Sequence, residues 1–119
     1  MGRELQGVLA CLLFILTGLV MTAADCSSSC YVTSCYCSYQ GITSVPQDLP
    51  TTITGLNLRG NQITSISQSD FSRYRNLETL NLVDNNISTI NSQAFYLLPN
   101  LTKLELDSNQ ITILRDDMF

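Results

Sequence analysis

Cys26, Cys30, Cys35 and Cys37 form the densest set of reactive side chains in the chain. Thiols at a C-x3-C-x4-C-x-C spacing could hold a metal ion or form disulfides. Zinc favours two well-spaced chelating pairs, commonly completed by histidine, and this chain has no histidine. An even, clustered set of cysteines therefore reads as two disulfides made in an oxidising compartment, and no metal site is expected. Without histidine the commonest general base is missing, and paired cysteines leave no thiol nucleophile. The neighbouring carboxylates Asp116 and Asp117 read as solvated charge. No G-x-S-x-G, Walker loop or dinucleotide fingerprint is present. An enzyme with catalytic residues or a cofactor is not expected.

The secretory pathway is indicated a second time. Asn86-Ile87-Ser88 and Asn100-Leu101-Thr102 are N-glycosylation sequons, so Asn86 and Asn100 are candidate carbohydrate sites. At the start of the chain, Arg3 precedes an apolar run from Val8 to Met21, broken by Thr17 and Gly18, and then Thr22, Ala23 and Ala24. That order reads as a signal peptide over residues 1–24, cleaved after Ala24; an uncleaved signal anchor is the alternative. Cys11 would leave with it. Cleavage removes Arg3 and Glu4, one charge of each sign, so the net charge stays at −4. A negative balance argues against nucleic acid as a partner. No later stretch is apolar enough to cross a bilayer, so no membrane insertion is expected after cleavage.

What positions these groups is a repeat. "GNQITSISQSDF" from Gly60 returns as "DNNISTINSQAF" from Asp84 and "SNQITILRDDMF" from Ser108, each 24 residues on. In register, the copies run 53–76, 77–100 and 101–119, the last stopping at its nineteenth position. Each obeys L-x-x-L-x-L-x-x-N-x-L with Ile at some apolar sites. Alternation in "LNL" and its relatives turns Leu56 and Leu58 to one side of a short strand and Asn57 to the other. Leu80 with Leu82, and Leu104 with Leu106, do the same. Stacked copies make a parallel sheet with a leucine inner side, which Ile63, Ile87 and Ile111, then Ile66, Ile90 and Leu114, continue. Phe71, Phe95 and Phe119 close the back of each coil. Asn61, Asn85 and Asn109 stand where the strand turns and backbone groups lose their sheet partners. An amide side chain offers both donors and an acceptor, so these three read as a structural ladder between turns.

This pattern resembles the leucine-rich repeat family from Ile53 to the end. The resemblance implies an α/β-type leucine-rich repeat solenoid. A short parallel β-sheet would line the concave face, and irregular or short helical turns the convex one. Upstream, "VTSCYCSYQGI" fits the same template with Gln40 in the asparagine position, and "GITSVPQDLPTTITGLNL" resembles the join between a cysteine-containing N-terminal cap and a first repeat. Residues 25–52 are that cap. It departs from the family at Val32, where the third cysteine commonly stands. Cys35 and Cys37, about 7 Å apart on one strand, cannot bond each other and must pair with Cys26 and Cys30. Cys26–Cys35 with Cys30–Cys37 keeps the family's order and is the expected pairing; Cys26–Cys37 with Cys30–Cys35 would suit a hairpin.

Function is expected on outward sheet positions that neither core nor ladder constrains. The candidate ligand-binding residues are Tyr36, Tyr39, Asn57, Arg59, Glu78, Asn81, Val83, Lys103, Glu105 and Asp107. The resemblance extends to the ectodomains of Toll-like receptors, Slit proteins and variable lymphocyte receptors, and implies a secreted or cell-surface recognition module for a protein or glycan. A matrix component like the small leucine-rich proteoglycans is the alternative. The partial third repeat is expected to mark a truncated form of a longer protein, with self-association at an uncapped C-terminal edge.

Overall fold

The structure, a computed structural model, describes residues 26–118. The leader with its cleavage site and Phe119 lie outside the described residues. The described residues form seven short strands, the three-residue ones where apolar and polar residues alternate: β1 Cys30–Tyr31, β2 Ser34–Tyr36, β3 Gly55–Asn57, β4 Ser65–Ile66, β5 Thr79–Asn81, β6 Thr89–Ile90 and β7 Lys103–Glu105. One sheet has the order β1-β2-β3-β5-β7 and is parallel from β2 onward. Among the described residues the helical elements are two single 3-10 turns, Ser27–Ser29 and Asp116–Met118.

Each coil of 24 residues returns the chain to the same height, so equivalent residues pair: Leu56 with Leu80, and Leu80 with Leu104. These side chains, with Leu58, Leu82, Ile63 and Ile87, fill the core. On the back, Phe71 and Phe95 stack with ring centroids 5.9 Å apart. Beside them β4 and β6 form a second, parallel two-stranded sheet that pairs Ile66 with Ile90. Their equivalent in the third coil forms no strand, and Leu114, read as core, is 57% exposed. The third coil is covered on one side among the described residues, so Leu104, Leu106 and Ile111 are partly buried.

The asparagines carry the turns. Asn85 Oδ1 accepts from Ile63 N–H (3.1 Å), and its Nδ2 donates to Leu58 O (3.0 Å) and Leu82 O (3.1 Å). Asn109 repeats this one coil on, with Ile87 N–H, Leu82 O and Leu106 O. Asn61 reaches into the cap, accepting from Gln40 N–H and Ile42 N–H and donating to Cys37 O and Leu58 O. Each amide therefore satisfies backbone groups of two successive turns that would otherwise be buried unpaired. Gln40, in the cap's asparagine position, contributes its N–H to Asn61 and makes no side-chain bond of this kind among the described residues.

The expected disulfide pairing is corrected. Cys26 bonds Cys37 and Cys30 bonds Cys35. The chain reverses over Val32 and Thr33, with Val32 at φ 58°, so β1 runs antiparallel to β2 and Cys30 lies opposite Cys35. Cys37, one pleat further along the inner face, is left to meet Cys26 beside the first 3-10 turn. Tyr74 makes a second link from cap to first repeat. Fully buried, it donates its hydroxyl proton to Pro46 O (2.6 Å) and accepts from Leu49 N–H (3.3 Å). Burial raises its phenol pKa.

Candidate binding face

Strand register sorts the outward side chains into rows. Ser34, Gly55, Thr79 and Lys103 lie side by side, and two residues further along each strand so do Tyr36, Asn57, Asn81 and Glu105. Both rows line a shallow groove of about 250 Å³ on the concave face. Gly55 sets its floor. A Cβ there would stand 3.0 Å from Ser34 Oγ and 3.1 Å from Thr79 Oγ1, so a larger residue would crowd its two neighbours in the row.

The groove's amides are oriented. Asn57 Oδ1 accepts from Arg59 N–H (3.0 Å), and Asn81 Oδ1 accepts from Val83 N–H (2.9 Å). Each side chain caps the end of its own strand, which fixes the oxygen and leaves Nδ2 without a partner among the described residues. Two parallel donors therefore face outward one strand apart, positioned to meet carbonyl or hydroxyl oxygens of a ligand. Tyr36, 56% exposed, supplies an aromatic wall at the cap end. At the other end Lys103 Nζ lies 3.8 Å from Glu105 Oε2, an exposed pair whose charges remain available to a ligand.

The remaining candidates fall outside the groove. Arg59 leans to the corner of the coil, where its guanidinium is 3.6 Å from Asp84. Val83 is half-buried, and Glu78 and Asp107 are exposed, one just before β5 and the other two residues after β7. The corner itself is a column of left-handed residues: Tyr39, Gly60, Asp84 and Ser108 all have φ between 55° and 73°. Tyr39 lays its ring over Gly60, and a Cβ on Gly60 would fall inside that ring. Tyr39 is thus packed on one side and open on the other.

Tyr31 and Ser34 join the face unforeseen. They pair across the β1–β2 hairpin and share the outward side with Tyr36, and Tyr31 is 75% exposed. Only the hairpin reading of the cysteines could have found Tyr31, since it exists on this face because β1 folds back. Asn86 and Asn100, the sequon asparagines, are exposed and lie off the strands.

A family model described as Leucine rich repeat matches residues 51–111. Toll-like receptor 3 of Boselaphus tragocamelus is 36% identical over 73 residues, 57% of this chain and 8% of the receptor. Decorin of Canis lupus familiaris is 43% identical over 51 residues, covering 43% of this chain and 14% of decorin. The crystal structure of human 5T4 (Wnt-activated inhibitory factor 1, trophoblast glycoprotein) superimposes with a TM-score of 0.66 at 30% identity, covering 76% of this chain and 35% of that one. The chain thus spans a small part of each of these relatives. Matched by its repeats, its parallel sheet and its disulfide-linked cap alike, the chain belongs to the leucine-rich repeat family.

Proposed function

We propose that this chain is a secreted or cell-surface recognition module that binds a protein or glycan on its concave sheet. The observation that carries the reading is the groove with two outward amide donors, Asn57 and Asn81, between an aromatic wall and a charged pair. Aromatic anchors beside oriented polar groups suit recognition more than catalysis. Two disulfides in the cap and the relatives' character favour an extracellular setting, and an innate-immune or adhesion role is the form it takes. Carbohydrate on Asn86 and Asn100 belongs to the same reading, because both are exposed and neither serves the core or the ladder.

The test is a binding screen against arrayed ectodomains, secreted proteins and glycans. Tyr36→Ala and Thr79→Arg, one removing the wall and one filling the groove, should abolish binding, while Gln68→Ala on the back should not. A partner lost with Gln68→Ala and indifferent to both groove variants would overturn the concave-face assignment. Asn86→Gln and Asn100→Gln should each remove one glycan's mass from protein recovered from culture medium; a mass unmoved by deglycosylation would refute occupancy. The likeness to decorin favours a second reading, a matrix component. Co-sedimentation with collagen fibrils, unaffected by the groove variants, would select it.

A further inference from the structure

We propose that the Cys30–Cys35 bond is a reducible latch, opened by an extracellular dithiol, which holds Tyr31 on the concave face when closed and frees it when open. That Tyr31 then serves a partner rests on the reading of this face as the binding surface. The two disulfides of the cap differ in exposure. Cys26 and Cys37 are both 0% exposed, whereas Cys30 is the one half-buried cysteine among the four. Cys30–Cys35 also closes the shorter loop, with a sequence separation of 5 against 11. Among disulfides, those that are exposed or strained are the labile ones.

The strain lies in the backbone of the turn that this bond closes. Val32 and Thr33 join β1 to β2 as a two-residue loop, with φ positive at Val32 (58°) and not at Thr33. A loop of that kind favours glycine at its first position, because a β-branched side chain there crowds the backbone. The two residues are held unequally. Thr33 O accepts from Thr54 N–H (2.8 Å) and Gly55 N–H (3.2 Å), and its Oγ1 accepts from the Thr54 hydroxyl (3.0 Å), so Thr33 stays with the first repeat. Val32 is 82% exposed and has little packing to hold it. β1 itself is two residues long and meets β2 at Cys30 with Cys35 and at Tyr31 with Ser34. Once the bond opens, a hairpin this short does not hold, and residues 27–32 become an arc tethered by Cys26 at one end and Thr33 at the other. Cys35 keeps its place, 1% exposed and paired with Leu56, because a free thiol packs there as a small apolar side chain.

The exchange balances. A thiolate of the reductant attacks Cys30 Sγ, the S–S bond breaks, and Cys35 leaves as a thiolate that takes up a proton. The reductant's second thiol then displaces Cys30 from the mixed disulfide. Two electrons and two protons pass from the dithiol, which becomes a disulfide, to Cys30 and Cys35.

The order of opening is tested by titrating the purified full chain with dithiothreitol under native conditions, quenching in acid, alkylating free thiols after denaturation and mapping them by mass. Cys30 and Cys35 should be labelled at about ten-fold less reductant than Cys26 and Cys37. Val32→Gly relieves the turn and should raise the reductant that Cys30–Cys35 requires. Chymotrypsin should cut after Tyr31 about ten-fold faster once that bond alone is open, and equally fast in Cys30→Ala with Cys35→Ala, while the circular dichroism spectrum stays that of the oxidised chain. No ligand enters these measurements, so the latch can fail while the concave-face reading stands. Both bonds opening together, Cys26–Cys37 opening first, Val32→Gly without effect, or Tyr31 cut no faster after the bond opens would each overturn the proposal.

Discussion

The second and third coils carry one template and differ in what surrounds them. Leu80 and Leu82 are 1% and 0% exposed, whereas their equivalents Leu104 and Leu106 are partly buried. Asn85 is 4% exposed; Asn109 makes the same bonds half-exposed. The back of the second coil pairs Ile90 with Ile66 in a small sheet, and the back of the third leaves Ile113 and Leu114 open. In a stack where each coil touches only its neighbours, residue identity sets the coil's shape and the neighbours set the energy it returns. The same substitution should therefore cost different amounts at positions 24 residues apart.

Leucine removal should show the largest gap. Leu82→Ala leaves a cavity enclosed by coils on both sides and should cost about 3–4 kcal/mol, measured by denaturant unfolding followed by circular dichroism. Leu106→Ala, where water or a shifted side chain can fill the space, should cost about half as much. Equal costs would mean that burial in the third coil is complete in solution, as it would be if the β7 edge were fully covered. The asparagines give the next gap. Asn85→Ala leaves Ile63 N–H without its acceptor in a buried turn, and takes one of two amide donors from Leu58 O and from Leu82 O, so it should cost about 2 kcal/mol. Asn109→Ala should cost about 1 kcal/mol, because solvent reaches its half-exposed turn.

The features of this comparison that could be read in the sequence are those that recur. Three asparagines at one offset, and leucines alternating with polar residues, specify the ladder, the strand register and the outward rows. Tyr36, Asn57, Asn81, Lys103 and Glu105 come together in one groove because strict alternation puts them there. What could not be read lies outside that alternation. The hairpin that pairs Cys30 with Cys35 depends on Val32 at positive φ, a conformation that β-branched residues rarely take, so "CYVTSC" leaves the reversal as one of two open pairings. β4 and β6, two residues each, are too short to show alternation. Tyr74 finds its partners 28 and 25 residues away, in the cap's loop, with no counterpart in the later coils.

Tyr74 therefore sharpens the comparison from the other end, where the first coil is tied to a cap. Tyr74→Phe keeps the packing and removes the partner of Leu49 N–H and Pro46 O, for an expected loss of about 1–2 kcal/mol. The pH dependence has a definite sign. Burial raises the folded phenol's pKa above its ordinary 10.0, so the folded state holds that proton more tightly than the unfolded one. Its contribution is intact below pH 10.0 and is lost as pH rises through the raised value. Denaturation midpoints measured on either side of that pH should fall less steeply in Tyr74→Phe than in the wild-type chain.

The smallest effect is the strictest test of the neighbour argument. Leu114 occupies the column of Ile66 and Ile90, which are 1% and 8% exposed, and a reading by template alone would assign it a core leucine's share of the stability. At 57% exposure it has little apolar contact to lose, so Leu114→Ala should change unfolding free energy by no more than about 0.5 kcal/mol. Ile90→Ala, against its β4 neighbour, should cost about 2–3 kcal/mol. If Leu114→Ala instead approached the Ile90 value, the third coil's back would be packed in solution, and the contrast between the coils would vanish at the position where it is sharpest.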